Sequence, residues 1–305
     1  MEWTPTITNF PYNHEKVLVF TWDDANYTHF YMAIMFAINR LRATHFINTY
    51  ELDRHHGFYH YLYRLIQPLG IEFGSHTVHH ADITQISKEE VEKELKDSIE
   101  DIKKYFGVIP SVFSHPTSSY NPETDEIIKK YFLDSRYSCE KDCDSSWEFL
   151  HIRHSYTYDF YKQRIDEFAH SNKTYYIYGG HGLDGYGYEP MKCTILWRLL
   201  RLLKKSYYAN KFWITTFGEL ALYRQLVQTG GVQLALVNDK IIIDKTAVEN
   251  VLSRYSDTRA ILTISLPVDI TVHGKVLHKY NKDNHQYITI DLRKTDTLKI
   301  TNIKE

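Results

Sequence analysis

The sequence predicts an α/β chain, a parallel (β/α) barrel over residues 1–229 followed by a small all-β domain over 230–305. Short apolar runs alternate with helical patterns of roughly 10 to 15 residues, which is how βαβ units read, and about seven such units favour a barrel over a sandwich. The residues that suggest chemistry fall just after the apolar runs, where a barrel keeps its site. Beyond Gly230-Gly231 the segments become short and β-branched.

The first element is Val17 to Trp22, V-L-V-F-T-W, a continuous apolar run of the kind buried on both faces of a parallel sheet. It ends on Asp23 and Asp24. Two adjacent carboxylates at the end of a buried strand are costly unless something positive faces them, and a metal would meet that need. A helix follows over Phe30–Leu41, then the run Thr44–Thr49, a helix from about Tyr59 to Ile66, and the strand Ile71–Ser75. That strand delivers G-S-H-T-V-H-H-A-D. His76 and His80 lie four apart, so both imidazoles can reach one ion, as donors suited to zinc, cobalt or nickel. Spacing alone is weak support, because 17 histidines in 305 residues yield about one such pair by chance, and His56/His60 is another.

Ser87-Lys88-Glu89-Glu90 is a capping box, and its helix aligns Val91, Leu95, Ile99, Ile102 and Phe106 before Gly107 stops it. The strand Ser111–His115 leads to Asn121-Pro122, a helix cap with proline at the first helical position. Then come a weak strand near Leu150–Arg153, a helix near Phe160–Phe168, and the run Tyr175–Tyr178, which ends on Gly179-Gly180-His181. A Leu-rich helix closes at Lys204-Lys205, and the strand Phe212–Thr216 leads into a helix over Gly218–Val227. Further on, Val232–Val237, Ile241–Ile243, Ala260–Leu266, Val268–His273, Gln286–Leu292 and Thr297–Ile303 read as strands of a small β-sandwich. Its expected roles are capping the barrel or mediating oligomer contacts ahead of binding sugar.

Composition narrows the function. With 43% hydrophobic residues the chain can bury a full core, and a formal charge of -2 without long blocks of one sign argues against nucleic acid as a partner. The 25 tyrosines suit a carbohydrate-facing groove, since sugar C–H faces stack on rings, and suit a general compositional bias equally well. Cys139, Cys143 and Cys193 leave at least one thiol unpaired in a spacing unlike zinc or redox motifs, which fits a reducing compartment. The N-terminus lacks the n- and h-regions of a signal peptide, and nowhere do 18 apolar residues run together. A cytoplasmic protein without a membrane span is the expectation.

T-W-D-D at 21–24, H-T-V-H-H at 76–80, F-S-H-P-T-S-S-Y-N at 113–121 and G-G-H-G-L-D-G at 179–185 together resemble, in order and spacing, the polysaccharide deacetylase superfamily (carbohydrate esterase family 4, NodB homology domain). The resemblance covers about 1–229 and implies a distorted (β/α)7-type barrel. It implies Asp24, His76 and His80 as ligands of one divalent ion, zinc first, with Asp23 as general base and His181 as general acid. A backbone N–H near Thr117 would help hold the oxyanion, and His79 would be a bystander. The chain departs from the family at two motifs. Ser114 and Thr117 stand where the third motif usually has an Arg and an aromatic, and the Asp of the fourth motif has only a faint echo in Asp142, Asp144 and Trp147, with Arg153 or Asp184 as stand-ins. His115 or Tyr120 is expected to fill the space left by the Arg and, with Thr117 and Asp184, to contact substrate. The implied function is removal of an acetyl group from an N-acetylated sugar of a polysaccharide, glycolipid or glycan precursor. The alternatives are an O-acetyl esterase, a formamide or other C–N hydrolase on a small or lipid-linked substrate, and a catalytically silent carbohydrate-binding protein.

Overall fold

The computed structural model describes residues 3–54, 58–137 and 147–302, so Cys139, Asp142, Cys143 and Asp144 lie outside the described residues. Contacts divide the chain into two units, residues 16–221 and residues 1–15 with 222–305, beside the 1–229 and 230–305 expected from texture.

The first strand, β1 (Thr6–Ile7), belongs to the second unit. Among the described residues the first unit is built on eight parallel strands: β2 (Lys16–Trp22), β3 (Ala43–Ile47), β4 (Ile71–Ser75), β5 (Val112–Ser114), β6 (Asp134–Arg136), β7 (Trp147–His151), β8 (Tyr175–Gly180) and β9 (Phe212–Thr215). Their order is β6-β5-β4-β3-β2-β8-β7, with β9 paired to the first half of β2. The sheet curls into a distorted half-barrel. Among the described residues its edge strands β6 and β7 are not paired to each other. All seven residues of β2 are buried, as its unbroken apolar run requires of a central parallel strand.

The helices of this unit are α1 (Thr28–Ile38), α2 (Thr49–Arg54), α3 (Phe58–Ile66), α4 (Lys88–Phe106), α5 (Pro122–Ile128), α6 (Tyr158–His170), α7 (Cys193–Leu203), α8 (Ser206–Lys211) and α9 (Phe217–Tyr223). The capping box forms as read: Ser87 accepts from Glu90 N, and the Glu90 carboxylate accepts from Ser87 N. Gly107 ends α4 at φ +73, a left-handed cap that suits glycine. Asn121 likewise caps α5 by accepting from Thr124 N. Phe20 fixes α1 and β8 onto β2, stacking on Tyr178 at 5.0 Å and meeting Phe36 edge-on at 5.4 Å.

The second unit holds β10 (Gln233–Val237), β11 (Lys240–Asp244), α10 (Glu249–Arg254), β12 (Ile261–Pro267), β13 (Ile270–His273), β14 (His278–Lys282), β15 (His285–Asp291) and β16 (Thr297–Asn302). Its antiparallel sheets run β1-β12-β15-β14 and β10-β11-β16-β13. Ile264, Ile288 and Ile290 bury the face of the first, and Ile241 and Leu298 that of the second.

Sequence reading missed several short elements. One is β14, which meets β15 at Asp283-Asn284, both at positive φ, in a tight hairpin turn. The miss that matters for function is β6. Asp-Ser-Arg has no apolar alternation to announce a strand, and only its parallel pairing with β5 makes it one. Among the described residues no helix is long and apolar enough to cross a membrane.

Candidate active site

In a regular strand Asp23 and Asp24 would face opposite ways. The chain leaves β2 through Asp24 at φ +65, a left-handed residue that breaks the alternation. Backbone pairing fixes the rim: Asp23 N donates to Gly180 O at 2.7 Å, Trp22 faces Gly180 across β2 and β8, and His76 N donates to Ile47 O at 2.9 Å.

Asp24, His76 and His80 offer three ligand atoms within 4.8 Å of one another. Asp24 Oδ1 lies 3.7 Å from His76 Nε2 and 3.5 Å from His80 Nε2, and the two imidazole planes cross at 74°. His76 Nδ1–H donates to Ser114 O at 2.7 Å, which leaves the Nε2 lone pair facing the cluster, the tautomer a metal ligand needs. Burial pushes His76 down to about 3, with Asp23 opposing, so it is a neutral donor at ordinary pH. Burial and then the neighbouring Asp23 push Asp24 up to about 6, a carboxylate short of positive charge. One neutral buried imidazole, a second imidazole and an under-compensated carboxylate are the donor set for a divalent ion such as zinc, so the residues present fit the group.

The turn that presents His80 is held from α4. Both backbone N–H groups of Val78 and His79 donate to Glu94 Oε2, and His79 Nδ1 meets Glu94 Oε1 at 2.6 Å. His79 is exposed and turned away from the cluster onto Tyr50. Thr77 and His80 both take positive φ, so this turn, like Asp24, stores strain at the site.

Asp23 is buried and forms an ion pair with Arg136. Burial alone would raise its pKa, but the Arg136 guanidinium, followed by His76 and His181, holds the carboxyl well below the usual carboxylate range. Arg136 is packed between rings, 5.1 Å from the Phe46 centroid and 5.3 Å from that of Phe149. Gly179 makes room for this arrangement, since a Cβ there would meet Phe149 at 2.5 Å and an Arg136 nitrogen at 3.0 Å. Arg136 is the functional residue that sequence reading missed. It sits on β6 directly opposite Ser114 of β5, so a guanidinium absent from position 114 arrives from the adjacent strand. No pattern in the sequence marks it.

His115 does not fill that space. It is 2% exposed, with Nδ1 at 3.0 Å from Ser119 O and Nε2 at 3.1 Å from Ser135 Oγ, so both nitrogens are engaged within the fold. Tyr120 is exposed and stacks on Tyr137 at 4.6 Å, offering a ring face but no charge. Thr117 has φ +55, and its hydroxyl meets Pro116 O and Ser119 Oγ, both at 2.7 Å. Asp184 Oδ1 accepts from Cys193 N at the start of α7, which ties down the 182–191 loop and leaves that oxygen engaged.

His181 follows β8, and its carbonyl accepts from Asn26 Nδ2 at 2.7 Å and from His29 Nε2 at 2.9 Å. His29 is in turn set by the Tyr63 hydroxyl at its Nδ1. Burial, partly offset by Asp23, lowers His181 to about 4. Its Nδ1 is buried without a hydrogen-bond partner among the described residues. The His151 and Tyr188 rings each lie 5.3 Å away. Arg153 gives its backbone to the Tyr161 hydroxyl.

Residues 11–134 match the polysaccharide deacetylase family. No curated protein matches the sequence. Solved structures share the fold at low identity. A candidate polysaccharide deacetylase from Mycobacterium smegmatis aligns at TM-score 0.58 and 13% identity over 75% of this chain and 96% of that one. A peptidoglycan N-acetylglucosamine deacetylase aligns at 0.50 and 15% identity, over 68% and 88%. A family 4 acetyl xylan esterase from Clostridium thermocellum, in complex with cobalt, aligns at 0.50 and 16% identity, over 69% and 92%.

Proposed function

Taking as premise that residues 11–134 belong with the polysaccharide deacetylase family, we propose that the protein is a metal-dependent hydrolase that removes acetyl groups from acetylated sugars. The observation that carries this reading is the juxtaposition at one rim of a three-donor cluster, a separate ionised carboxylate and a half-buried histidine. A pure binding protein has no use for the second carboxylate.

Asp24, His76 and His80 would hold the divalent ion, which when bound supplies Lewis acidity toward an acyl carbonyl and a water. Asp23, kept ionised by Arg136, accepts the proton of the attacking water. The Phe46 and Phe149 rings flank that partner and help to hold it against Asp23. His181 protonates the leaving group. With its pKa near 4 it is neutral at pH 7, so it must gain that proton within the turnover instead of bringing it. Among the described residues Nδ1 of His181 has no hydrogen-bond partner, and with none to support the imidazolium His181 is a modest acid. An amine leaving group needs protonation more than an alkoxide does, and this feature favours O-acetyl esters as a second reading.

The test is metal content of the purified protein beside His80→Ala, with acetate release from an N-acetylglucosamine oligomer and from acetylated xylan. About one metal per chain, lost in the variant, with release from either substrate supports the reading. Release from the xylan alone selects the esterase. A metal-free wild-type protein that also gains no stability from added zinc, cobalt or nickel would sink it.

A further inference from the structure

We propose that the outer face formed by α1, α3 and α7 docks the protein on an anionic lipid bilayer, a role separate from the acetyl chemistry. The first observation is a groove without acid. Between the end of α1 and α7 lies an open groove of about 840 Å³ lined by Ile38, Trp197, Arg198, Arg201, Lys204 and Lys205 among others, and among the described residues no carboxylate lines it. The deficit extends along the chain. Residues 192–211 carry six Lys or Arg and no Asp or Glu, and residues 25–50 carry no Asp or Glu either, in a protein that has 38 acidic residues and a formal charge of -2. The positive charge is therefore local.

The second observation is apolar and independent. α1, T-H-F-Y-M-A-I-M-F-A-I, has no Lys, Arg, Asp or Glu. A helix so apolar is expected to be covered on all sides, yet Ile38 is 61% exposed and Tyr31 54%. On neighbouring α3, Phe58, Tyr61 and Leu65 are likewise exposed, at spacings of three and four that place them in one stripe. α1 packs against both α3 and α7, so the helices that carry the apolar stripes and the basic groove are neighbours in the unit. A soluble polyanion would answer the cations and leave the rings and Ile38 without a purpose. An anionic bilayer answers both, with headgroup phosphates in the groove and apolar side chains at the acyl boundary.

Co-sedimentation of the full chain with vesicles of phosphatidylcholine alone, and of phosphatidylcholine with phosphatidylglycerol, tests this. The expected result is salt-sensitive binding to the anionic vesicles only. The variant Arg201→Gln/Lys204→Gln/Lys205→Gln should weaken it about 100-fold, from roughly five-fold per cation near a charged surface. Ile38→Ser/Tyr61→Ser changes two exposed side chains, so it should keep its fold by circular dichroism and lose binding at unchanged charge. The proposal is overturned by absence of binding, by equal binding to neutral vesicles, by either folded variant binding as wild type, or by capture of soluble polyphosphate in place of vesicles.

Discussion

Replacing Arg136 with Met removes the guanidinium and leaves a side chain of similar reach between Phe46 and Phe149. The rings keep their contact, so the loss falls on Asp23, a carboxylate 7% exposed whose partner has gone. Breaking a buried pair from one side costs about 3–5 kcal/mol. The chain can accept that as lost stability, or Asp23 can take a proton, because burial was raising its pKa all along and Arg136 was the largest opposing influence. A protonated Asp23 is no base. Arg136→Met is therefore expected to lower acetyl hydrolysis at pH 7 by about 100-fold, the equivalent of roughly 3 kcal/mol. Activity should return partly as pH rises, with the acid limb of the rate profile moved upward and the metal retained. Urea unfolding would divide the cost between protonation and stability. Adding Ser114→Arg should restore part of the rate, since position 114 faces 136 across the strand pair. Wild-type stability together with an unmoved pH profile in Arg136→Met would refute the reasoning.

Further outcomes follow from the same geometry. His181→Ala should lose about 10²- to 10⁴-fold in turnover of amide substrates, less for esters, while binding metal as before, checked by parallel kinetics and metal analysis. Glu94→Ala frees the Val78 and His79 N–H groups and should lower metal affinity through a loosened His80 turn, read by metal titration, with little change in the fold. Gly179→Ala places a Cβ 2.5 Å from Phe149 and should destabilise the protein by about 1–3 kcal/mol while disturbing the Arg136 pair, read by urea unfolding and turnover. Glu72 concerns stability alone. Burial, with Glu219 adding to it, raises Glu72 to about 7, so it favours folding while protonated, and that contribution is lost as pH rises through about 7. Against an ordinary value of 4.5 the effect is at most about 3 kcal/mol. Glu72→Gln, whose carbonyl can still accept from Gly218 N and Thr44 Oγ1, should raise Tm at pH 8 and lose its advantage below about pH 4.5.

The parallel barrel and the following β domain were legible in the sequence because apolar period and helix caps are local signals. Val17–Trp22 reads as a buried strand, and the Ser87–Glu90 capping box reads as the start of a helix. Asp24, His76 and His80 were legible too, since two of the three lie on one turn and the motif order placed the third. The tertiary structure alone decided three things. It brought Arg136 to Asp23, 113 residues away, through a strand too short and too polar to announce itself. It closed both nitrogens of His115 on Ser119 and Ser135, contacts that no local pattern announces. It also left an apolar helix with its outer side uncovered next to a basic groove, which the sequence shows only as composition. Local pattern follows from the backbone's own geometry, whereas an ion pair or an exposed face depends on which distant strands and helices become neighbours.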